Sequence, residues 1–314
     1  MKPRVSIIIP AYNTSRYIKR AIESALAQTE QNIEVIVVDD ASTDNTVEVV
    51  NSFTDPRIKL LVNEANKGPS YSRNRAFKEA KGEWVALLDS DDWYAPKRLE
   101  TLLLVAEREN ADLIADDLYL IPEGEDSPIS TIFPRQGVYL QKPKQIDPVD
   151  FVDLCLSVTK PLIKQNFLVQ HNLEFNESLK YEEDLVLFLL CLLNGARFFI
   201  VPEPYYFYRD HRIGALTTEY QDFHEQAYKT NLYLLQQEFT TKNPKLVHSL
   251  SKRFQKMKQM RAFYQVRKSY KEGGILTALI KAMRNPIFIR PLWERLPGML
   301  RYHLFYRFNI NLSK

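Results

Sequence analysis

Carboxylates follow two of the strongly hydrophobic runs in this sequence. Asp39 and Asp40 stand directly after the run 34–38, and Asp89, Asp91 and Asp92 follow the run 83–88. Successive side chains of an extended segment alternate sides, so Asp89 and Asp91 can face one site together. Hard divalent cations bind through one or two carboxylates together with substrate phosphates. The spacing therefore indicates a cation-assisted site for a ligand that carries a diphosphate.

Alternating strand and helix patterns surround these acids. Apolar runs predict strands at 5–9, 34–38, 58–62, 83–88 and 113–115, and helical periodicity predicts helices at 18–26, 42–53, 70–80 and from Pro96. Repeated units of this kind indicate an α/β fold, with a mostly parallel sheet flanked by helices on both faces. Ligands of such sheets bind beyond the carboxyl ends of the strands, which brings the two groups of acids to one edge.

Simpler explanations apply to some of these residues. Asp39 and Asp40 could cap the following helix, for which Ser42 is the predicted N-cap. The sequence contains no glycine-rich phosphate loop of the dinucleotide-binding or P-loop type, which argues against a Rossmann dehydrogenase and a P-loop kinase. Phosphate binding would therefore depend on a metal ion rather than on backbone amides.

The second half of the sequence is predicted to be mainly helical. Five prolines mark 122–148 as a loop or a pair of edge strands, and helical patterns return at 162–169, 185–193 and 220–271. We predict one domain over 1–220 and a helical, basic region over 221–314.

Composition excludes several classes of protein. Hydrophobic residues make up 45% and charged residues 26%, which is typical of a globular chain rather than a disordered or fibrous one. Cys155 and Cys191 lie among apolar residues and are predicted to be buried thiols of a reducing compartment. The apolar stretch near Met1 is too short for a signal peptide, and no run is long enough to span a membrane. We expect a cytoplasmic protein.

Charge is distributed unevenly along the chain. From Lys252 onward 15 Lys and Arg oppose two acids, whereas the rest of the chain carries a net charge of −10. Basic and aromatic residues without a span are typical of a surface that contacts anionic lipid headgroups, and we predict such contact through 252–314. A helical subdomain with solvated charges is a second explanation. Nucleic-acid binding is a third explanation, and it is not expected because no recognised nucleic-acid-binding motif accompanies the Lys and Arg residues.

Five segments in order resemble the inverting, GT-A-fold glycosyltransferases of family 2 that act in bacterial polysaccharide and lipopolysaccharide synthesis. They are VSIIIPAYN at 5–13, VVDDASTD at 37–44, NKGPSYSRN at 66–74, LDSDD at 88–92 and FNESLKYEED at 175–184. Each motif alone is weak, but their order and spacing make the resemblance specific over about residues 3–215. The resemblance implies a GT-A fold, a nucleotide-diphosphate sugar as donor and a divalent cation, Mg²⁺ or Mn²⁺.

The resemblance also implies roles for single residues. Those expected to bind the donor nucleotide, its ribose or its sugar are Pro10, Ala11, Tyr12, Asn13, Asp39, Asp40, Arg73, Asp89 and Ser90. Asp91 would bind the cation that bridges the donor diphosphate, with His211 as a further candidate ligand. Asp184 would be the general base on the acceptor hydroxyl, and Glu183 its neighbour and helper.

The acids at 182–184 have a second explanation. They would form the charged first turn of the helix 185–193, where the helix dipole favours negative charge. The two explanations are compatible, because a catalytic base can stand at a helix N-terminus. Adjacent carboxylates would also raise one another's pKa values by repulsion.

The predicted function is metal-dependent, inverting transfer of a sugar, with UDP-hexose as the expected donor. The acceptor would be a hydroxyl of a carbohydrate or lipid-linked saccharide, reached at the cytoplasmic face of the inner membrane. Two other classes stay open. One is an inactive nucleotide-sugar-binding scaffold, against which the intact Asp89, Asp91 and Asp184 argue. The other is a sugar nucleotidyltransferase, which usually carries a glycine-rich basic loop that is missing after the first predicted strand.

Overall fold

A computed structural model describes residues 2–210 and 220–291 of the chain. The chain divides into two compact units, Met1–Thr218 and Glu219–Lys314. The assignment of a transferase domain to 1–220 and of a separate basic region to 221–314 remains a prediction about what each unit does.

In the first unit, the described strands form one sheet. They are β1 (Val5–Ala11), β2 (Ile33–Asp39), β3 (Ile58–Val62), β4 (Trp84–Leu87), β5 (Trp93–Tyr94), β6 (Leu113–Pro122), β7 (Ser130–Thr131), β8 (Lys144–Ile146), β9 (Leu162–Lys164) and β10 (Phe198–Asp210). The order across the sheet is β3-β2-β1-β4-β9-β6-β10-β5, with β7 paired to β6 and β8 paired to β10.

Most of the strand pairing is parallel, as predicted, and short antiparallel strands make the sheet mixed. β1, β2, β3 and β4 pair in parallel, as do β6 and β10. The three-residue β9 lies between these two groups and runs antiparallel to both of its neighbours. The carboxyl ends of β1, β2 and β4 therefore meet at one edge, as predicted, and the segment before β9 arrives at the same edge from the opposite direction.

Helices flank the sheet in the first unit, and the second unit contains α9, α10 and α11. They are α1 (Ile18–Leu26), α2 (Thr46–Asn51), α3 (Pro69–Glu79), α4 (Arg98–Glu109), α5 (Ile132–Arg135), α6 (Pro148–Asp153), α7 (Gln165–His171), α8 (Glu183–Leu193), α9 (Tyr220–Gln236), α10 (Glu238–Thr241) and α11 (Pro244–Arg284). The predicted apolar faces of α1 and α4 are buried in the core. The α/β class predicted from the sequence is confirmed.

Local sequence patterns misplaced several boundaries. α2 begins at Thr46, not at Ser42, whose hydroxyl instead accepts a hydrogen bond from Asn13 N at 2.9 Å. α4 begins at Arg98, two residues after Pro96. The predicted helix at 162–169 is half wrong, because its first residues form β9 and α7 begins only at Gln165. A three-residue strand is too short to show a periodicity, so this error has a simple cause.

Two further predictions need correction. Cys191 is buried as predicted, but Cys155 is exposed, because it follows α6 in a left-handed conformation (φ 55°) that carries its side chain to the surface. The long strand β10 was not predicted at all, since its aromatic and proline-containing sequence lacks a clean alternation. The segment 122–148 does contain edge strands, β7 and β8, which was one of the two predicted alternatives.

In the second unit, α9 and α11 are joined by aromatic and ionic contacts. The His224 ring stacks on Tyr264 with centroids 4.6 Å apart, and Tyr228 lies 5.0 Å from Phe254. Arg261 donates from Nη2 to Glu225 Oε1 at 2.9 Å. None of the helices in the described residues is long and apolar enough to cross a membrane.

Gly82 allows β4 to begin close against β1. Its amide donates to Ser6 Oγ at 2.8 Å, and a Cβ at this position would stand 2.5 Å from Ser6 N and 2.8 Å from Trp84 O. Both of those contacts involve backbone atoms, which cannot move without disturbing the sheet. The β1–β4 pairing thus requires a residue without a side chain here.

We expect Gly82→Ala to lower the free energy of unfolding by about 1–3 kcal/mol, because the added methyl group overpacks the start of β4. Urea denaturation measures the change. Gly124→Ala serves as the control, since nothing lies within 4 Å of its Cβ position and its only cost is the positive φ of 84°. A loss at Gly82 no larger than that at Gly124 would contradict the packing explanation.

Candidate active site

Five charged side chains meet at the edge where β4 ends. Arg73, on α3, donates from Nη2 to Asp89 Oδ1 and from Nη1 to Glu183 Oε1, both at 2.9 Å. Lys160 Nζ lies 3.0 Å from Asp89 Oδ2 and 3.0 Å from Asp184 Oδ2. Arg73 Nη1 is also 3.8 Å from Asp184 Oδ1. Two cations thus hold three carboxylates together, and we call these five residues the charge network.

Burial makes this network electrostatically strong. The side chains of Arg73 and Lys160 are only 5% and 8% exposed. Burial alone would raise the pKa of Asp89, but the charges of Lys160 and Arg73 outweigh it and hold that pKa well below its usual range. Burial, followed by the charge of Asp184, raises the pKa of Glu183. The predicted repulsion between adjacent acids is therefore present at Glu183.

Lys160 was not among the residues identified from the sequence. Burial would lower the pKa of its ammonium, yet Asp184 and Asp89 raise that pKa above its ordinary value, so Lys160 stays charged. The sequence signal was slight: a lysine that Pro161 separates from the short segment Leu162–Lys164. Such a lysine is ordinary on a surface, and only the fold shows that this one points inward.

A second buried ion pair fixes the backbone of Lys160. Arg98 donates to Asp116 Oδ1 at 2.8 Å and to the carbonyl oxygen of Lys160 at 2.5 Å. Its guanidinium lies over the rings of Tyr94 and Tyr206, at 4.3 and 5.2 Å from their centroids. The Arg98 and Asp116 side chains are 0% and 1% exposed, so this pair belongs to the core and holds the backbone of the site in place.

The N-terminus of α8 is attached to α3 through one amide side chain. Asn74 donates to Phe175 O at 2.8 Å and to Glu177 Oε1 at 3.0 Å, and its own oxygen accepts from Phe175 N at 2.8 Å. Glu183 and Asp184 form the first turn of α8, so the helix-terminus explanation and the site explanation both describe these two residues. The FNESLKYEED segment is thereby fixed relative to Arg73.

The acids after β2 differ in their surroundings. Asp40 accepts from Asn63 Nδ2 at 2.7 Å and from the backbone amides of Lys67 and Gly68, so both of its oxygens hold the loop that begins α3. Asp39 Oδ2 accepts from Ser42 N at 2.9 Å. Asp39 Oδ1 is buried, and no donor reaches it within the described ranges. A buried acceptor without a donor is a position where a ligand N–H group would fit.

Four residues at the end of β1 and directly after it were predicted to contact the donor, and the last two are exposed. Pro10 is half-buried, and Ala11 is buried beside Asp39 in the β1–β2 pairing. Asn13 Oδ1 accepts from Thr43 N at 2.8 Å and so ties this segment to the one after β2. Tyr12 is 44% exposed, which leaves its ring free to contact a ligand at this edge.

The residues after β4 point to different surroundings. Asp89 belongs to the charge network, and Ser90 is buried. Asp92 accepts from Tyr206 OH and from Arg209 N, each at 2.8 Å, and burial together with Asp91 and Asp89 raises its pKa. Asp91 is half-buried and lines an open cleft of about 230 Å³ with residues that include Arg209 and Glu123.

The described residues contain no group of three His, Cys, Asp or Glu that could hold a metal ion alone. A divalent cation would therefore need most of its ligands from substrate phosphates and water, which is a common mode for Mg²⁺. Asp91 fits that mode as a single half-buried carboxylate that lines the cleft. The other candidate ligand, His211, lies outside the described residues.

Comparisons of the sequence with known proteins agree with these motifs. The family model described as "Glycosyl transferase family 2" matches residues 6–158. The "Succinoglycan biosynthesis protein ExoO" of Rhizobium meliloti (strain 1021) is 29% identical over 95% of this chain and 86% of that protein. The Escherichia coli "UDP-Glc:alpha-D-GlcNAc-diphosphoundecaprenol beta-1,3-glucosyltransferase WfaP" is 41% identical over 37% of this chain and 46% of its own length.

Comparison with solved structures supports the fold. S. aureus TarS 1–349 in complex with UDP-GlcNAc matches with a TM-score of 0.62 and 22% sequence identity, over 86% of this chain and 73% of that one. A likeness at this identity concerns the fold alone. It confirms the predicted GT-A architecture.

We expect Lys160→Met to lower the free energy of unfolding by about 3–5 kcal/mol near neutral pH, because Asp89 and Asp184 lose a buried partner. In the native protein the lowered pKa of Asp89 contributes stability above the unfolded carboxyl pKa of about 4, and that contribution is lost as the pH falls through the folded pKa. Without Lys160 the pKa of Asp89 is lowered less, so the deficit of the variant is largest at about pH 7 and smaller at about pH 3, below the unfolded carboxyl pKa.

Urea denaturation at the two pH values measures this difference. Lys164→Met is the matched control, because Lys164 lies in the same segment but its side chain is 27% exposed and its ammonium is 3.5 Å from a single acid, Asp112. A single pair of this length that solvent reaches contributes about 1 kcal/mol or less. A deficit in Lys160→Met that does not change with pH would show that the network does not depend on the charge of Lys160.

Proposed function

We propose that this chain transfers a sugar from a nucleotide-diphosphate donor to a carbohydrate hydroxyl, with inversion at the anomeric carbon. Its residues 6–158 match the model of glycosyl transferase family 2. The observation that carries this proposal is the charge network, in which Lys160 contacts both Asp184 on α8 and Asp89 after β4. The proposed base, Asp184, and the proposed donor-binding carboxylate, Asp89, thus share one cation.

The donor would bind along the carboxyl ends of β1 and β2. The buried oxygen Asp39 Oδ1 suits an N–H group of a nucleobase, and the exposed Tyr12 directly follows Ala11, which pairs with Asp39. We propose a UDP-hexose as the donor. WfaP is named for UDP-Glc and TarS is described with UDP-GlcNAc, which supports uridine over other bases.

Asp184 would accept the proton of the acceptor hydroxyl. Its Oδ2 is held by Lys160 at 3.0 Å, while its buried Oδ1 has no hydrogen-bond donor in the described part of the chain. The acceptor oxygen would bond to the anomeric carbon as the bond from that carbon to the diphosphate breaks, with the proton passing to Asp184. Glu183 would help by occupying Arg73 Nη1, which keeps that guanidinium from binding Asp184 closely.

A divalent cation, when bound, would neutralise the diphosphate that leaves. Asp91 is the residue of this chain that we propose to hold it, together with the phosphate oxygens of the donor. Arg73 and Lys160 would keep the carboxylates of the site ionised and fixed in position.

We propose that the acceptor is a lipid-linked saccharide and that the product is a surface polysaccharide or lipopolysaccharide. WfaP is named for a diphosphoundecaprenol-linked acceptor, and ExoO is named for succinoglycan biosynthesis. The acceptor would be met at the cytoplasmic face of the inner membrane, where the predicted contact of 252–314 with anionic lipid would place the protein.

Asp184→Asn is expected to lower kcat by about 10²–10⁴-fold, because the amide cannot accept the acceptor proton, while the affinity for the donor changes little. Donor titration by calorimetry and a coupled assay for nucleotide release measure the two effects separately. Glu174→Gln is the control, since Glu174 is exposed and close in sequence but not part of the charge network. Near-normal turnover in Asp184→Asn would mean that another acid is the base.

A thermal-shift screen of UDP-, GDP-, CMP- and TDP-sugars, with and without Mn²⁺, should show stabilisation by UDP-sugars that increases with the metal. Asp39→Asn should weaken nucleotide binding by about 10–100-fold in both conditions, because a hydrogen bond to a charged acceptor is lost. Asp91→Ala should remove only the increment due to Mn²⁺. The exposed Asp153→Asn should change neither.

Each outcome of the screen decides one part of the proposal. Stabilisation by the sugar of another nucleotide would mean that the donor carries that nucleotide's base rather than uracil. A full Mn²⁺ increment in Asp91→Ala would exclude Asp91 as the cation ligand.

A further inference from the structure

The last turns of α11 expose an unusual number of large apolar side chains. Gly274 interrupts the helix with a φ of 72°, and the following residues resume it to Arg284. Five side chains after the break are largely exposed: Ile275 65%, Leu276 73%, Leu279 53%, Ile280 49% and Met283 78%. We call these five residues the 275–283 face. Exposure of so many neighbouring aliphatic side chains indicates a surface that another apolar medium covers.

The five side chains form one continuous stripe. At 100° per residue they occupy an arc of about 140° on the helix. Ala278, which is buried, and the half-buried Ala282 lie outside this arc. Small residues of this part of the helix are therefore withdrawn from solvent, whereas its large apolar residues are exposed.

Basic residues occupy the rest of the same helix. Arg284 lies about 40° beyond the apolar arc, and Lys281 lies on the opposite, exposed side of the helix. Over 275–290 the chain carries Lys281, Arg284 and Arg290 and no acid. The charge beside the 275–283 face is thus positive, and an occupant that is both apolar and anionic suits it.

We propose that the 275–283 face inserts into the headgroup and acyl boundary of an anionic lipid surface, with the surrounding Lys and Arg on the lipid phosphates. An amphipathic helix with a basic polar side has the composition for lying in such an interface. A second copy of the chain would bring like charge against like charge, which opposes self-association through this face. Nucleic acid would satisfy the bases but would leave the five aliphatic side chains in water.

This inference adds a place of action to the proposed function, and it can fail separately. Binding to vesicles requires neither donor nor acceptor, and donor binding requires no vesicle. The two are therefore measured on the same protein in different experiments.

The experiment is co-sedimentation of the full chain with vesicles of phosphatidylcholine, with and without phosphatidylglycerol. The native protein should bind the vesicles that contain phosphatidylglycerol, and binding should weaken as salt is added. The triple variant Leu276→Asn, Leu279→Asn, Met283→Asn should bind at least about tenfold more weakly, because the apolar contribution is lost. Lys281→Gln with Arg284→Gln should also bind about tenfold or more weakly and show less salt dependence.

Two controls separate surface loss from misfolding. Val169→Asn replaces a 70% exposed apolar residue on α7 and should leave vesicle binding unchanged. The triple variant should keep the native free energy of unfolding and the native affinity for the donor nucleotide, since its three side chains are already exposed. Loss of vesicle binding together with a loss of folding would be tested again with the single variant Met283→Asn, at the most exposed position of the face.

Several results would overturn the proposal. They are equal vesicle binding by the native protein and the triple variant, no binding of the native protein to either vesicle, and a vesicle-free dimer that the triple variant abolishes. The last result, measured by sedimentation velocity, would assign the face to a second copy of this chain.

Discussion

The candidate site depends on the pairing of two buried cations with three carboxylates. Asp89, Glu183 and Asp184 are half-buried acids, with side chains that are 22%, 13% and 15% exposed, and a carboxylate withdrawn from water without a partner is unfavourable. Arg73 and Lys160 remove that penalty and each contacts more than one of the acids. Because Lys160 binds both Asp89 and Asp184, the donor side and the proposed base share one partner. A movement of either carboxylate that displaces Lys160 therefore alters the contact of Lys160 with the other.

The fold supplies these partners through features that have little to do with the parallel half of the sheet. β9 runs against its two neighbours, and this reversal brings Lys160 to the edge where β4 ends. The Arg98–Asp116 pair then fixes the Lys160 carbonyl from within the core. Asn74 connects α3 to the segment before α8. Because Arg73 precedes Asn74 on α3 and Glu183 begins α8, this connection helps to position the Arg73–Glu183 pair. Specific side-chain pairs, rather than the sheet alone, determine the geometry of the site.

The sequence predicted the parts of the protein whose signal is local. The strands β1 to β4, the helices α1, α3 and α8, and the carboxylates after β4 all follow from apolar runs, helical spacing and the resemblance to family 2. It did not predict β9, whose three residues show no period, or β10, whose prolines and aromatics break the alternation. Lys160, Arg98 and Asp116 escaped notice because nothing in a sequence distinguishes a buried, paired charge from a solvated one. Asp40, which stays a predicted donor-binding residue, has contacts that the sequence did not show, since its oxygens accept from backbone amides of the loop before α3.

The members of the charge network come from distant parts of the chain. Arg73 and Glu183 are 110 residues apart, whereas Lys160 and Asp184 are separated by 24. Contacts of long sequence separation require loops to close before they are rewarded, so they form late in folding. During synthesis from the N-terminus, β1 to β4 can assemble while the chain still lacks Lys160 and α8. The edge of the sheet at which we propose donor binding can thus be built before the proposed base is synthesised, and a chain at that stage would lack the residue that we propose for acting on a bound donor.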